Sequence, residues 1–110
     1  MKVVFDNNVP VGLARLLTGH TVSTSPDLGW TTLRNGVLLA NAEAAGFDVL
    51  VTADQNIAYQ QNLAGRKIAL VVLGSNSWPI VKDFAGEILT AVNHAFPGGF
   101  QFIEMPATTL

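Results

Sequence analysis

The chain has 110 residues, of which 49% are hydrophobic and 13% are charged, and this composition excludes an intrinsically disordered protein. Its formal net charge is −2, so it lacks the excess of basic residues with which a stable DNA-binding module binds phosphates. A nucleic-acid role would therefore need metal ions or a partner to offset the acidity. The absence of cysteine excludes disulfides, thiolate metal sites and a cysteine nucleophile.

Length and hydropathy predict one domain without a membrane span. A chain of this size can bury one hydrophobic core, and we assign the domain to residues 1–105 and a C-terminal tail to 106–110. Asp6 interrupts the apolar stretch that a secretory signal would need, and the apolar run at 68–73 is too short to cross a bilayer. We therefore expect a cytoplasmic protein that does not enter the membrane.

The first half of the chain predicts two strands and two helices. Residues 3–5 form a continuous apolar strand, and 20–23 a weaker one. Between these strands, a helix presents one apolar face, made of Val9, Leu13, Leu16 and Leu17. A second helix begins near Thr32 or Asn35 and ends at Gly46, because glycine readily adopts the left-handed conformation that follows a helix.

The second half continues the alternation of strands and helices. In chain order, the predicted elements are a strand at 48–52, a short helix at 57–65, a strand at 68–73, a helix at 78–94 and an edge strand at 100–103. Alternating strands and helices are typical of an α/β fold around a parallel sheet. We therefore predict a central, mostly parallel sheet of four or five strands with helices on both faces.

Two aspartates follow two of the predicted strands. Asp6 comes after the first strand and Asp54 after the strand at 48–52, and both precede side-chain amides, Asn7 and Asn8 in one case, Gln55 and Asn56 in the other. Ligands of a parallel sheet bind beyond the carboxyl ends of its strands, so we expect both carboxylates to face one pocket. Converging carboxylates repel one another, and a divalent cation such as Mg²⁺ would stabilise them. Metal-assisted hydrolysis of a phosphodiester is chemically reasonable at such a site.

A structural interpretation of the same residues stays open. Asp and Asn are frequent at strand-to-helix turns because they cap helices and accept unusual backbone angles. Asn56 is interpreted in this way, as a cap of the helix at 57–65. For Asp6 the structural interpretation is weaker, because Pro10 as the first helical residue would make Val9 the cap and leave Asp6 without a capping role.

The other polar residues predict no competing chemistry. His20 and His94 lack the spacing of metal ligands, and we interpret them as structural or surface residues. Glu43 lies inside the second predicted helix, where its spacing favours a solvent-facing position. There is neither a nucleophile elbow nor a glycine-rich phosphate loop. The basic residues that could contact phosphates, or be ordinary surface charges, are Arg34, Arg66 and Lys67.

Three segments together resemble the small PIN-like proteins of prokaryotes. They are "KVVFDNNVPVGLARLL", "GWTTLRNGVLLANAEAAGFDVLVTADQNI" and "LAGRKIALVVL", which lie within residues 2–73 in the order and spacing of that family. The resemblance implies a PIN-like three-layer α/β/α sandwich. It also implies kinship with metal-dependent ribonucleases, including the VapC-type toxins of toxin–antitoxin pairs.

The resemblance also implies a metal site, from which this chain departs in part. PIN nucleases gather several acidic residues around Mg²⁺ or Mn²⁺, which activates water for attack on an RNA phosphate. Asp6 matches the acid after the first strand, and Asp54 matches the acid after the third. Asn35 replaces an acid at the start of the second helix, and Asn56 replaces the second aspartate of the "TxDxDF" pattern. After the fourth strand this chain has "GSNS", which contains no acid.

These observations lead to two hypotheses about activity. In the first, Asp6 and Asp54 bind Mg²⁺ or Mn²⁺ for RNA cleavage, supported by the amides Asn7, Asn35 and Asn56. In the second, the chain is a catalytically weakened or inactive PIN-like module that binds a protein or RNA partner. The missing carboxylates motivate the second hypothesis, because neutral ligands hold a cation less strongly.

A third hypothesis concerns protein partners. The chain would then be a helper subunit that forms a homodimer or docks an antitoxin-like protein through apolar residues. Apolar positions compatible with this role are Trp30, Trp78 and the segment "GGFQFI" at 98–103. Packing inside the core is the alternative explanation for each of them.

Overall fold

Five strands and four helices form the part of the chain that the computed structural model describes, residues 1–56 and 63–106. The strands are β1 (Lys2–Phe5), β2 (Thr21–Thr24), β3 (Val49–Thr52), β4 (Ala69–Leu73) and β5 (Phe100–Ile103). The helices are a 3₁₀ helix (Val11–Leu16), α1 (Asn35–Ala44), α2 (Trp78–Asp83) and α3 (Ala85–Asn93). All the predicted strands are present, with each end within one residue of its expected position.

The strands form one sheet in the order β2-β1-β3-β4-β5, and every neighbouring pair is parallel. Side chains of the 3₁₀ helix, α2 and α3 pack on one face of the sheet, and side chains of α1 pack on the other. The predicted α/β fold with helices on both faces of a parallel sheet is therefore confirmed.

Strand residues alternate between two hydrophobic cores, which explains why the strands have continuous apolar sequences. In β1, Val3 and Phe5 enter the core beneath the 3₁₀ helix, α2 and α3, whereas Val4 enters the core beneath α1. Leu13 contributes to the first core and Leu38 to the second, and both are fully buried. Burial of such a side chain contributes about 1.5–3 kcal/mol, so both faces of the sheet must be covered by helices.

The first predicted helix is a 3₁₀ helix. Its hydrogen bonds span three residues, from the Leu13 N–H to the Pro10 carbonyl and from the Leu17 N–H to the Ala14 carbonyl. Pro10 is the N-cap and not the first helical residue, so the expectation that Val9 caps this helix is wrong. Val9 is instead buried in the first core.

The predicted helix at 78–94 is two helices, because Phe84 leaves the helical conformation. Its φ of −102° and ψ of 9° separate α2 from α3, and its ring packs against the first core. The predicted helix at 57–65 falls largely on residues outside the described ranges, as does most of the tail at 106–110. None of the helices in 1–56 and 63–106 has the length and apolar character needed to cross a membrane.

Helix α1 ends as the sequence predicts. Gly46 adopts the left-handed conformation, with φ of 86°. The Gly46 N–H donates to the Glu43 carbonyl at 3.1 Å, and the Phe47 N–H donates to the Ala42 carbonyl at 3.1 Å. This is the Schellman arrangement, and it turns the chain from α1 directly into β3.

Close packing at Gly74 generates the first testable prediction. A Cβ at this position, just after β4, would lie 2.9 Å from the Met105 backbone nitrogen and 3.0 Å from the Ile103 carbonyl oxygen. Because backbone atoms cannot move away without shifting β5, we expect Gly74→Ala to reduce the free energy of unfolding by about 1–3 kcal/mol. Urea denaturation measures this change.

The control is Gly86→Ala in α3, where an added Cβ meets no atom within 4 Å. Alanine favours a helix more than glycine does, so this control should stabilise the protein by about 0.5 kcal/mol. Equal urea midpoints for Gly74→Ala and the wild type would contradict the tight contact between β4 and the segment after β5.

Candidate functional site

The two predicted aspartates meet at the point where the strand order reverses. β1 and β3 are adjacent, with Phe5 in register with Val51, and β2 lies on the other side of β1. The Asp6 N–H continues the ladder and donates to the Val51 carbonyl at 2.9 Å. Such a reversal leaves a crevice beyond the carboxyl ends of the two central strands.

A cavity of about 280 Å³ occupies this crevice. Its lining residues are Asp6, Asn7, Asn8, Leu33, Arg34 and Asp54. The structure therefore brings both predicted carboxylates to one cavity. It also brings Arg34 there, because this residue directly precedes α1 in an extended conformation and the start of α1 lies at the carboxyl edge of the sheet.

Thr52 connects the two aspartates. Its hydroxyl donates a hydrogen bond to Asp6 Oδ2 at 2.8 Å and accepts one from the Asp54 N–H at 3.0 Å. The Thr52 side chain is fully buried at the end of β3, so its conformation is determined by packing. The second oxygen of Asp6, Oδ1, accepts the Asn7 N–H at 2.7 Å. These bonds hold the Asp6 carboxylate in one orientation at the cavity wall.

The sequence prediction missed Thr52. A signal was present, because a hydroxyl residue ends the otherwise apolar strand "VLVT". A buried hydroxyl needs a hydrogen-bond partner, and the nearest polar residues in the sequence are those of the turn that contains Asp54.

Two adjacent asparagines of the cavity lining use different side-chain atoms in their hydrogen bonds. Asn7 Nδ2 donates to the Thr31 carbonyl at 2.8 Å, which leaves Asn7 Oδ1 as its free acceptor. Asn8 has the opposite arrangement, because its Oδ1 accepts the Ala53 N–H at 3.0 Å and its Nδ2 remains as a donor. The backbone partners fix both amide orientations.

Asp54 also shapes the turn that contains it. Its Oδ1 accepts the Asn56 N–H at 3.0 Å, two residues along the chain, as in an Asx turn. Asn56 itself is exposed, and the helix that it was expected to cap lies largely outside the described residues. Asn35 begins α1, but its side chain also lies outside what the structure describes. Asp54 therefore combines a position in the cavity wall with a local structural role.

Arg66 and Lys67 lie at the opposite edge of the sheet, just before β4. Glu43 Oε1 accepts a hydrogen bond from Arg66 Nη1 at 3.1 Å, and Glu43 Oε2 accepts the Lys67 N–H at 2.6 Å. The Glu43 side chain is 25% exposed, so it faces solvent only in part. The structure thus places these three residues in a link between α1 and β4, away from the cavity.

The environment of Glu43 changes its acidity. The hydrogen bond from the Lys67 N–H, with the charge of Arg66, lowers the pKa of Glu43 below its ordinary value of 4.5, although desolvation acts in the opposite direction. The ionised form therefore binds its partners best, and it stabilises the contact between α1 and β4.

A divalent cation in the cavity would have few acidic ligands. Within residues 1–56 and 63–106 there is no cluster of three or more His, Asp or Glu side chains that could hold a metal ion. The oxygen ligands available at the cavity wall are the carboxylates of Asp6 and Asp54 and the amide oxygen of Asn7. Mg²⁺ commonly uses one or two carboxylates and keeps waters in its other positions, so this ligand set fits Mg²⁺ or Mn²⁺.

Comparison of the chain with protein-family models, curated proteins and solved structures gave no match. The chemistry of the cavity must therefore be inferred from the groups that line it. They comprise two carboxylates, two carboxamides and one guanidinium around a space of about 280 Å³. Acceptors for a cation and donors for an anion thus lie in the same wall.

Thr52→Val tests the link between Asp6 and Asp54. Valine keeps the shape of threonine but removes the hydroxyl, so Asp6 Oδ2 and the Asp54 N–H each lose a partner. We expect the free energy of unfolding to fall by about 1–3 kcal/mol. Thr21→Val on β2 is the control, because Thr21 is exposed, and it should change stability by less than about 0.5 kcal/mol. Equal effects of the two variants in urea denaturation would contradict the proposed link.

Glu43→Gln tests the contact between α1 and β4. Because the pKa of Glu43 is lower in the folded state than its ordinary 4.5, the ionised carboxylate stabilises the fold above pH 4.5. This contribution is lost as the pH falls through the folded-state pKa. We expect the variant to have a lower Tm than the wild type at pH 7, and the difference to shrink on acidification below pH 4.5. Glu104→Gln, at an exposed position after β5, should leave the Tm at pH 7 nearly unchanged.

Proposed function

We propose that this protein is a PIN-like, metal-dependent endoribonuclease whose site is the cavity between β1 and β3. The observation that carries the proposal is the position of Asp6 and Asp54, which follow adjacent central strands and line one cavity with Arg34. This is the crevice where a parallel sheet binds its ligands. The order of the matching segments along the chain supports the PIN-like assignment.

The proposed ligands of Mg²⁺ or Mn²⁺ are Asp6 and Asp54, with Asn7 as a neutral oxygen ligand. Asp6 is the main ligand, because hydrogen bonds from Thr52 and the Asn7 N–H hold its carboxylate in place. Asn35 and Asn56 are proposed as supporting amides of the metal site from their positions in the sequence. With a net charge of −2 the chain needs such a cation before an RNA phosphate can approach.

A divalent cation bound there supplies activated water and offsets the charge that develops on the phosphate. Asp54 acts as the second ligand or orients the attacking water. Arg34 lies in the same wall and contacts the phosphate, since a guanidinium matches the geometry of phosphate oxygens. The Arg66 side chain and the Lys67 N–H bind Glu43 at the other edge of the sheet, so Arg66 and Lys67 are left out of the proposed phosphate contacts.

A second candidate function is an inactive PIN-like module that binds RNA or a protein. It is favoured by the small number of acids, since the described residues contain no cluster of three or more metal-binding side chains. The Asx turn at Asp54 also favours the inactive module, because the carboxylate then has a structural role that needs no metal. The two candidates differ in one measurable property, which is cation-dependent cleavage.

The proposal also includes protein partners. The PIN-like resemblance implies a toxin role, and apolar surface residues are compatible with a homodimer or with docking of an antitoxin-like protein. Trp30 and Trp78 pack against the two cores, so packing accounts for both. Phe100 and Phe102 are 44% and 46% exposed on β5, which is the edge strand. This half-exposed pair is the feature that supports a protein contact. The proposed location is the cytoplasm, because RNA substrates are found there.

The experiment is a Mn²⁺ titration of the wild type and Asp6→Asn, with cleavage assayed on a mixed RNA pool. We expect cleavage only in the presence of Mn²⁺, and a loss of at least about 100-fold in Asp6→Asn, because the cation contributes several kcal/mol to the barrier reduction. Asp83→Asn is the control, since Asp83 is an exposed aspartate at the end of α2.

The titration separates the two candidates. Absence of Mn²⁺ binding by the wild type would overturn the ribonuclease, because the proposed chemistry has no other source of activated water. RNA binding without cleavage at saturating Mn²⁺ would support the inactive module. Unfolding curves of both variants exclude loss of the fold as the cause of lost cleavage.

A further inference from the structure

Arg34 is the one cationic residue among the six that line the cavity. In the described parts of the chain, the ion pair closer than 4 Å joins Arg66 to Glu43, and neither aspartate of the cavity forms one with Arg34. The Asp6 oxygens instead accept hydrogen bonds from Thr52 and the Asn7 N–H. Arg34 therefore shares the cavity with two carboxylates without forming an ion pair with either of them.

Asn8 contributes a second donor to the same wall. Its Oδ1 accepts the Ala53 N–H, which fixes the orientation of the amide and leaves Nδ2 as a donor. The Nδ2 group of Asn7, the preceding residue, donates to the Thr31 carbonyl, and Asn7 Oδ1 is left as an acceptor. The residues that line this cavity thus include donors as well as acceptors.

We infer that the cavity is divided into a cation half and an anion half. The acceptors, Asp6, Asp54 and Asn7 Oδ1, form the cation half. The donors, the Arg34 guanidinium and Asn8 Nδ2, form the anion half, and they bind the non-bridging oxygens of the phosphate that is to be cleaved. The inference rests on the proposed function, which already gives Arg34 a phosphate contact, and it adds Asn8 as a second donor and the separation of these donors from the cation ligands.

The division solves an electrostatic problem of the site. Two carboxylates repel a phosphodiester, and a single divalent cation bound by both of them is left with little net positive charge. A guanidinium and an amide donor add attraction for the phosphate without competing for the cation, because neither group binds metals. Charge-assisted hydrogen bonds of this kind are stronger than neutral ones and orient the phosphate.

Fluorescence anisotropy with a labelled single-stranded RNA probe tests the anion half. Binding is measured in EDTA, where no cation activates water, and with Mn²⁺ at times too short for cleavage. We expect Arg34→Gln to weaken binding of the probe about tenfold, the value of one charge-assisted hydrogen bond. The slope of log K against log salt concentration should fall by about 0.7, as for the loss of one phosphate contact on a single strand. Arg15→Gln, which removes an exposed arginine of the 3₁₀ helix, should change neither quantity.

A pair of isosteric substitutions separates the donor from the general effect of charge. Asn8→Asp keeps the acceptor for the Ala53 N–H but replaces the Nδ2 donor, whereas Asn41→Asp adds the same charge at an exposed position of α1, outside the cavity lining. We expect Asn8→Asp to weaken binding of the probe about tenfold and Asn41→Asp much less, because only the first removes a donor to phosphate. Mn²⁺ binding, measured without RNA, should not weaken in Asn8→Asp.

The outcomes distinguish this inference from the proposed function. If the wild type binds Mn²⁺ and cleaves RNA while Arg34→Gln and Asn8→Asp bind the probe like their controls, the anion half is wrong and the ribonuclease stands. If the wild type fails to bind Mn²⁺ but its binding of the probe depends on Arg34 and Asn8, the anion half stands and the ribonuclease is wrong. Failure of the wild type to bind either Mn²⁺ or the probe overturns both.

Discussion

The parallel pairing of β1 with β3 at the centre of the sheet determines where the polar groups of the cavity lie. Phe5 is in register with Val51, so both strands reach the same edge of the sheet and their turns begin side by side. β2 lies beyond β1 and β4 lies beyond β3, so the connections that leave this edge diverge and open a crevice. Apolar side chains of both strands are buried in two cores, and a shift of the register by one residue would exchange the faces of every side chain.

Backbone groups of the neighbouring strand then orient the side chains of the crevice. The Ala53 N–H holds the amide of Asn8, and the buried hydroxyl of Thr52 joins Asp6 to the backbone of Asp54. Such contacts fix the side chains before any ligand arrives, which lowers the entropic cost of binding. With two carboxylates and one guanidinium, the cavity has a weaker field for cations than a site of three or four acids, but its lining also includes hydrogen-bond donors for an anion.

The two edges of the sheet use charged residues in different ways. At the amino edge, Glu43 binds Arg66 and the Lys67 N–H, and these contacts join α1 to β4. At the carboxyl edge, Arg34 lies beside Asp6 and Asp54 in a cavity wall without forming an ion pair with either. A charged side chain that is paired within the protein stabilises the fold, whereas a charged side chain that lines a cavity without a partner is available to a ligand.

The sequence by itself determined the strands, the helical coverage of both faces and the end of α1, because continuous apolar runs and Gly46 have local physical meaning. It also predicted that Asp6 and Asp54 would share a pocket, since parallel strands end at one edge. Local patterns did not separate α2 from α3, because the apolar periodicity continues across Phe84, where the backbone leaves the helical conformation.

Only the tertiary structure decided which charged residues meet. Arg34, Arg66 and Lys67 are equivalent in the sequence, yet one lines the cavity and two lie at the opposite edge with Glu43. The fold likewise determined the two hydrogen-bond partners of the Thr52 hydroxyl. It also left Oδ1 of Asn7 as an acceptor and Nδ2 of Asn8 as a donor. The physical reason is that hydrogen bonds and ion pairs act over a few ångströms, so their partners depend on how distant segments pack together.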